Sequence, residues 1–218
     1  MKEHKRRRLR LQFMLLWVLA ALVLANGVLL ACRLTGEAEA EGVAVPDYVT
    51  KDLLPRNRYS RPGSILKDIE GVVIHYVGNP GTSAQANRDY FASLALGRDQ
   101  TYASSHFIVG LEGEVVQCIP LTEIAYASNG RNGDTVAVEV CHSDETGAFS
   151  PVTYARTVES TAWLCRQFDL NPTEDVIRHY DVTGKRCPLY YVEQPQAWEA
   201  FRADVAASVD AQAKSKCS

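Results

Sequence analysis

The chain has 218 residues, 46% of them hydrophobic and 22% charged, which excludes wholesale disorder and fits one globular domain with additions. The formal net charge of −3 conceals an asymmetry: seven basic residues and a single acid, Glu3, lie within the first 33 positions, and beyond Arg33 the balance is 16 basic against 25 acidic residues. A body that acidic argues against nucleic acid as a partner, because that binding rests on phosphate neutralisation. Six cysteines are too few for a disulfide scaffold, and no repeat of solenoid or propeller length is visible.

Residues 13–32 form a run of 20, interrupted only by Asn26 and Gly27, behind the basic cluster Lys5-Arg6-Arg7-Arg8-Leu9-Arg10. At about 1.5 Å per residue the run spans about 30 Å, the hydrocarbon thickness of a bilayer. The charge bias places residues 1–10 in the cytoplasm and everything after Cys32 outside. The main reading is a transmembrane signal anchor over residues 11–32. A lipoprotein signal ending at Leu29-Leu30-Ala31-Cys32 and a cleaved signal using Ala38-Glu39-Ala40 are the alternatives. The first two tether the body to the outer face of the cell membrane.

Residues 33–60 carry Glu37, Glu39 and Glu41 alternating with small residues, then Pro46 and Pro55, and read as a linker. From Arg61 the texture changes. Gly71-Val72-Val73-Ile74-His75-Tyr76-Val77 is a β-branched run closed by Gly78-Asn79-Pro80-Gly81, so a buried strand and a turn. A helix is predicted over 82–94 behind a Thr or Ser cap. Residues 106–109 and 114–117 flank Leu111-Glu112-Gly113 as a hairpin, and 135–140 form another strand. Helices are predicted over 152–168, after Pro151, and over 197–213, after Pro195. Between them, residues 174–178 run into a loop at 181–184. Strands interleaved with helices predict a single α/β domain, a central mixed β-sheet flanked by helices, over residues 61–214.

Five histidines are present. His4 lies in the basic terminus with no site around it. His75 sits near the C-terminal end of a buried strand, where α/β sheets open their crevices. His179 precedes a loop that reaches Cys187 eight residues on. Two imidazoles and a thiolate with an open fourth position suit catalytic zinc. Spacing alone leaves ordinary core or surface histidines as the alternative. Glu139 ends the alternation Val136-Ala137-Val138-Glu139, as a buried carboxylate with a task or as an edge-strand acid facing water. Lys185 reads as a surface lysine unless Cys187 holds it near a metal.

Four segments stand in order: Val73-Ile74-His75-Tyr76 with Gly78-Asn79-Pro80-Gly81; Ser105-His106-Phe107-Ile108-Val109; residues 132–139; and Ile177-Arg178-His179-Tyr180-Asp181-Val182 running to Lys185-Arg186-Cys187-Pro188. Together they resemble the zinc-dependent N-acetylmuramoyl-L-alanine amidases of the type-2 family, which includes phage endolysin and bacterial autolysin domains and is similar to peptidoglycan recognition proteins. The resemblance covers about residues 61–195. It implies Zn2+ on His75, His179 and Cys187, a catalytic carboxylate at Glu139 and an assisting Lys185. It also implies peptidoglycan as substrate, cut at the amide between N-acetylmuramic acid and L-alanine. His106 falls on a position that is usually structural, and His142 takes no role from the family.

The sequence departs from the family at Ser105, where some relatives carry Tyr, and at Ala127, where a substrate-contacting His is common; the substrate contacts are therefore left unassigned. A non-catalytic muropeptide-binding module of the recognition type is the rival reading. Such proteins typically lack a zinc ligand, often the Cys, whereas Cys187, Glu139 and Lys185 are all present here. A hydrolase of soluble anhydro-muropeptides is a third, against which the expected tether argues. Cys118, Cys141, Cys165 and Cys217 permit three complete pairings; Cys118 and Cys141 both end predicted strands and could approach each other, against the ordinary reading of buried free thiols.

Overall fold

The computed structural model describes residues 43–215, with side chains to residue 211. The predicted anchor over 11–32, the basic segment 1–10 and the first part of the linker lie outside the described residues. Among the described residues no helix is long and apolar enough to cross a membrane.

The elements run β1 (Val49–Lys51), β2 (Gly71–Tyr76), α1 (Ala84–Ser93), β3 (Phe107–Val109), β4 (Val115–Gln117), β5 (Thr135–Val140), α2 (Pro151–Phe168), β6 (Val176–Arg178), α3 (His179–Thr183), α4 (Leu189–Glu193) and α5 (Pro195–Ser215), with short 3-10 turns at Leu94–Leu96 and Asn129–Arg131. The six strands form one sheet in the order β1-β4-β3-β5-β2-β6. The β3–β4 hairpin is antiparallel and every other pairing is parallel, so the predicted mixed sheet is found. At the hairpin Gly113 takes φ +79°, a left-handed conformation that glycine adopts without a Cβ penalty. At the start of β2, a Cβ on Gly71 would stand 2.8 Å from the Asp175 carbonyl, so only glycine lets β2 and β6 approach there.

Local chemistry accounts for the helices. Ser83 and Ser150 cap α1 and α2 by accepting from the amides of Ala86 and Thr153, each at 3.2 Å. Pro151 occupies the first turn of α2, where its missing N–H costs nothing. Val72 and Ile74 of β2, Phe107 and Val109 of β3, and Val136, Val138 and Val140 of β5 face α2 and α5, whose Leu164, Trp198, Phe201 and Val205 complete that core. Each large side chain buried there contributes roughly 1.5–3 kcal/mol. The opposite face packs Ile108 and Val116 against Ala84 and Phe91 of α1, with Leu54 and Ile119. By the two-residue alternation of a strand, Val73 and His75 of β2 point to this second face, as do Ala137 and Glu139 of β5.

Three expectations are corrected. Residues 43–60 are not a plain linker: β1 pairs in parallel with β4, and Leu54 is fully buried. Arg61 holds Glu123 through two hydrogen bonds of 2.8 Å and donates to the Leu54 carbonyl at 2.7 Å, tying this stretch to the body. The loop expected at 181–184 is largely the short helix α3. Cys118 and Cys141 are free thiols, as is Cys165. Cys118 follows β4 and Cys141 follows β5, with β3 between them. Two strand spacings, roughly 9–10 Å, exceed the reach of a disulfide.

Candidate metal centre and active site

β2 and β5 run in parallel with His75 opposite Glu139, so both side chains emerge on one face at the C-terminal end of adjacent strands. β6 flanks β2 on the other side and ends at Arg178; His179 is the first residue of α3. Arg178 and Asp181 fasten this turn. The Arg178 amide donates to Asp181 Oδ2 at 2.8 Å, and its guanidinium donates to Asp181 Oδ1 at 2.7 Å and to the Tyr191 carbonyl at 2.9 Å. α3 stops at Gly184, φ +78°, and the chain doubles back so that the Tyr180 amide donates to the Cys187 carbonyl at 2.9 Å. That reversal brings Cys187 beside His179.

The ligand atoms of His75, His179 and Cys187 all lie within 4.8 Å of one another, and all three residues are buried. Cys187 Sγ is 3.9 Å from His75 Nδ1, and the two imidazole rings are 4.7 Å apart, centre to centre. The outer nitrogens have partners: His75 Nε2 lies 3.2 Å from Ser128 Oγ, and His179 Nε2 lies 3.0 Å from Asn129 Oδ1. His179 Nδ1 is buried without a hydrogen-bond partner. A buried, unpartnered ring nitrogen is costly unless something outside the protein satisfies it. Two imidazoles and one thiol, converging with a nitrogen lone pair to spare, form a donor set that fits zinc with one position left for water or substrate.

Electrostatics around this group are those of a dry site. Burial holds the His75 imidazolium well below its usual range, with His179 and Lys185 adding to the effect, and burial likewise lowers His179. Both rings are therefore neutral, as ligation requires. Burial pushes the Cys187 thiol up to about 12. Burial also pushes the Glu139 carboxyl up to about 8, against the pull of Lys185, and Glu139 Oε2 has no hydrogen-bond partner. All five residues singled out from the sequence line a single cavity of about 220 Å³, with Tyr102, Tyr126 and Ala127 on its wall. The cavity shares Tyr102 and Tyr126 with a second, open hollow that holds Arg56 and Arg58.

The other histidines lie apart from this group. His106 accepts from the Ala137 amide at Nδ1, 3.0 Å, and its Nε2 reaches the Glu123 carbonyl at 2.9 Å, so it is a satisfied core residue. His142 stacks beside Tyr76, with Nδ1 2.7 Å from the Asp144 carbonyl. Ser105 is buried and donates to the Phe107 carbonyl at 3.0 Å. Ser128, Asn129, Tyr102 and Tyr126 were not anticipated as site residues. The signal available for the first two was a polar Ser-Asn-Gly turn a few residues ahead of the Glu139 strand.

Residues 66–189 match the family model described as N-acetylmuramoyl-L-alanine amidase. The chain is 33% identical over 189 residues to the N-acetylmuramoyl-L-alanine amidase BlyA of Bacillus subtilis (strain 168), covering 78% of this chain and 50% of that protein. It is 32% identical over 169 residues to the N-acetylmuramoyl-L-alanine amidase CwlL of Bacillus licheniformis, covering 72% and 46%. The chain thus spans about half the length of these relatives. Among solved structures it resembles PlyL, with TM-score 0.61 and 23% identity over 72% of this chain and 96% of that one. It also resembles the catalytic domain of XlyA, with TM-score 0.59 and 22% identity over 72% and 98%. At such identities the structural likeness is one of fold. With more than half of its residues under the family model, the chain belongs to the N-acetylmuramoyl-L-alanine amidase family.

Proposed function

We propose that the chain is a zinc-dependent hydrolase that cleaves the amide between N-acetylmuramic acid and L-alanine in peptidoglycan. The observation that carries this reading is the buried His75–His179–Cys187 group, with the unpartnered Glu139 carboxyl one strand away in the same cavity. His75, His179 and Cys187 would hold the metal. When bound, zinc supplies Lewis acidity to a water and to the scissile carbonyl.

Glu139 serves as general base and then general acid: its carboxylate takes a proton from the attacking water and returns it to the departing L-alanine nitrogen. Burial alone keeps the Glu139 proton on at neutral pH; Lys185, and any cation held by the three ligands, pulls its pKa back towards the working range of a base. The Lys185 ammonium lines the same cavity and donates to the carbonyl oxygen as negative charge builds on it. Tyr102, Tyr126 and Phe91 wall the cavity with aromatic surface and keep bulk water from competing there.

The same proposal places this chemistry outside the cell membrane, with residues 11–32 as the tether and residues 1–10 inside. Its support is the uncharged run of membrane length behind a basic cluster. Protease accessibility of the body in intact cells, beside release by lysis alone, tests that placement. The activity is tested by incubating the full chain, purified in detergent, with isolated sacculi, with and without a chelator, and identifying products by mass spectrometry. Free stem peptides beside intact glycan strands, lost on chelation and restored by zinc, are expected. Cleaved sugars, or binding without products, would overturn the reading.

A further inference from the structure

We propose that Ser128 and Asn129 are positioning residues for the metal centre, each holding one ligand histidine by its outer nitrogen, with Asn129 also fixing the tautomer of His179. The inference rests on the zinc reading above.

An imidazole presents a lone pair on one nitrogen only when the other carries the proton. His179 Nε2 faces Asn129 Oδ1 at 3.0 Å, and an amide oxygen can only accept, so the proton sits on Nε2 and the buried, unpartnered Nδ1 keeps its lone pair. His75 Nε2 faces Ser128 Oγ at 3.2 Å, and its Nδ1 faces Cys187 Sγ. The Asn129 oxygen thus decides the tautomer of His179, whereas the Ser128 hydroxyl, which can donate or accept, holds the His75 ring in place with Nδ1 turned to the same point.

That turn is built to hold them still. The amides of Ala127 and Ser128 both donate to Asn132 Oδ1, at 3.1 and 2.6 Å. Ser128 is buried. Asn129 is one of three non-glycine residues with positive φ among the described residues, at +50°. A glycine would adopt that conformation more easily, and nothing packs where a neighbouring Cβ would stand at Gly130. Asparagine enters this region more readily than most residues, and unlike glycine it brings a side-chain acceptor, which the His179 contact uses.

Glycine at position 129 therefore separates the two explanations: it relieves the backbone and removes only the acceptor. Zinc affinity of the full chain is measured by competition with a chromophoric chelator, for the wild type and for Asn129→Gly, Asn129→Asp and Ser128→Ala. Melting temperatures are taken on the metal-free proteins. Asn129→Gly is expected to melt no lower than wild type yet bind zinc about 10–100-fold more weakly, the usual loss when an outer partner of a ligand histidine is removed. Asn129→Asp, which keeps the acceptor, is expected to hold zinc as the wild type does, and Ser128→Ala to weaken it. Long-range nitrogen NMR of the metal-free wild type is expected to find His179 protonated at Nε2.

Unchanged affinity in Asn129→Gly, or an Nδ1–H tautomer at His179, would overturn the assignment while leaving the metal site standing. A wild type that takes up no zinc would bring down the functional reading and this inference together.

Discussion

Two buried histidine sites lie on the same face of the sheet and differ in a single respect. His106 has both ring nitrogens engaged by backbone groups from two segments, Ala137 and Glu123. His75 and His179 engage their outer nitrogens with the side chains of Ser128 and Asn129, while their inner nitrogens converge on the Cys187 thiol, His75 Nδ1 at 3.9 Å from it and His179 Nδ1 without a partner. Burial alone therefore does not distinguish a ligand from a core residue. An unpartnered nitrogen alone does not either, since His142 Nε2 is likewise buried without a partner; what sets His75 and His179 apart is the convergence of two imidazoles and a thiol within 4.8 Å.

The sharpest way to break this comparison is Cys187→Ala, expected to abolish both zinc uptake and turnover while metal-free protein stays folded, read by metal analysis and circular dichroism. Glu139→Gln follows: zinc binding is expected to persist and stem-peptide release to fall by about 10²–10⁴-fold, since a positioned acid–base group is worth that much. A Glu139→Gln protein that still releases stem peptide at the wild-type rate would refute the role given to that residue. Replacing His106 by Ala is expected to cost about 3 kcal/mol in urea unfolding, by stranding the Ala137 amide and the Glu123 carbonyl. His179→Ala should change metal-free stability far less, because it removes an unsatisfied nitrogen along with one hydrogen bond.

The mildest effect is a pH dependence. Burial lowers the His106 pKa to about 4, below the ordinary value near 6.5 of the unfolded chain. The unfolded state therefore binds the extra proton first. The stability this ring contributes is complete above about pH 6.5 and declines as pH falls towards 4, by about 2 kcal/mol between pH 7 and pH 5. Urea midpoints at those two pH values, compared between wild type and His106→Gln, isolate the difference.

Much of this was legible before any coordinates. The β-branched runs around His75 and Glu139 announce buried strands, and the capped helices stand within a residue or two of their expected bounds. That His75, His179 and Cys187 come together beside Glu139 was legible through resemblance, not spacing, since nothing in a separation of 104 positions brings His75 to His179. What escaped was whatever depends on a partner far along the chain. β1 is three residues long and exists only because β4 offers it an edge. α3 is a single turn, too short for any periodicity. Ser128 and Asn129 look like any solvent-facing turn until two rings arrive beside them.

The unbridged sulfurs carry a consequence for how the protein matures. Cys118, Cys141 and Cys165 are buried, and burial raises the pKa of each thiol, so almost none is in the reactive thiolate form near neutral pH. Among the described residues no disulfide has to form, so their folding waits on no oxidant or disulfide isomerase. The domain can attain the same architecture in a reducing or an oxidising compartment.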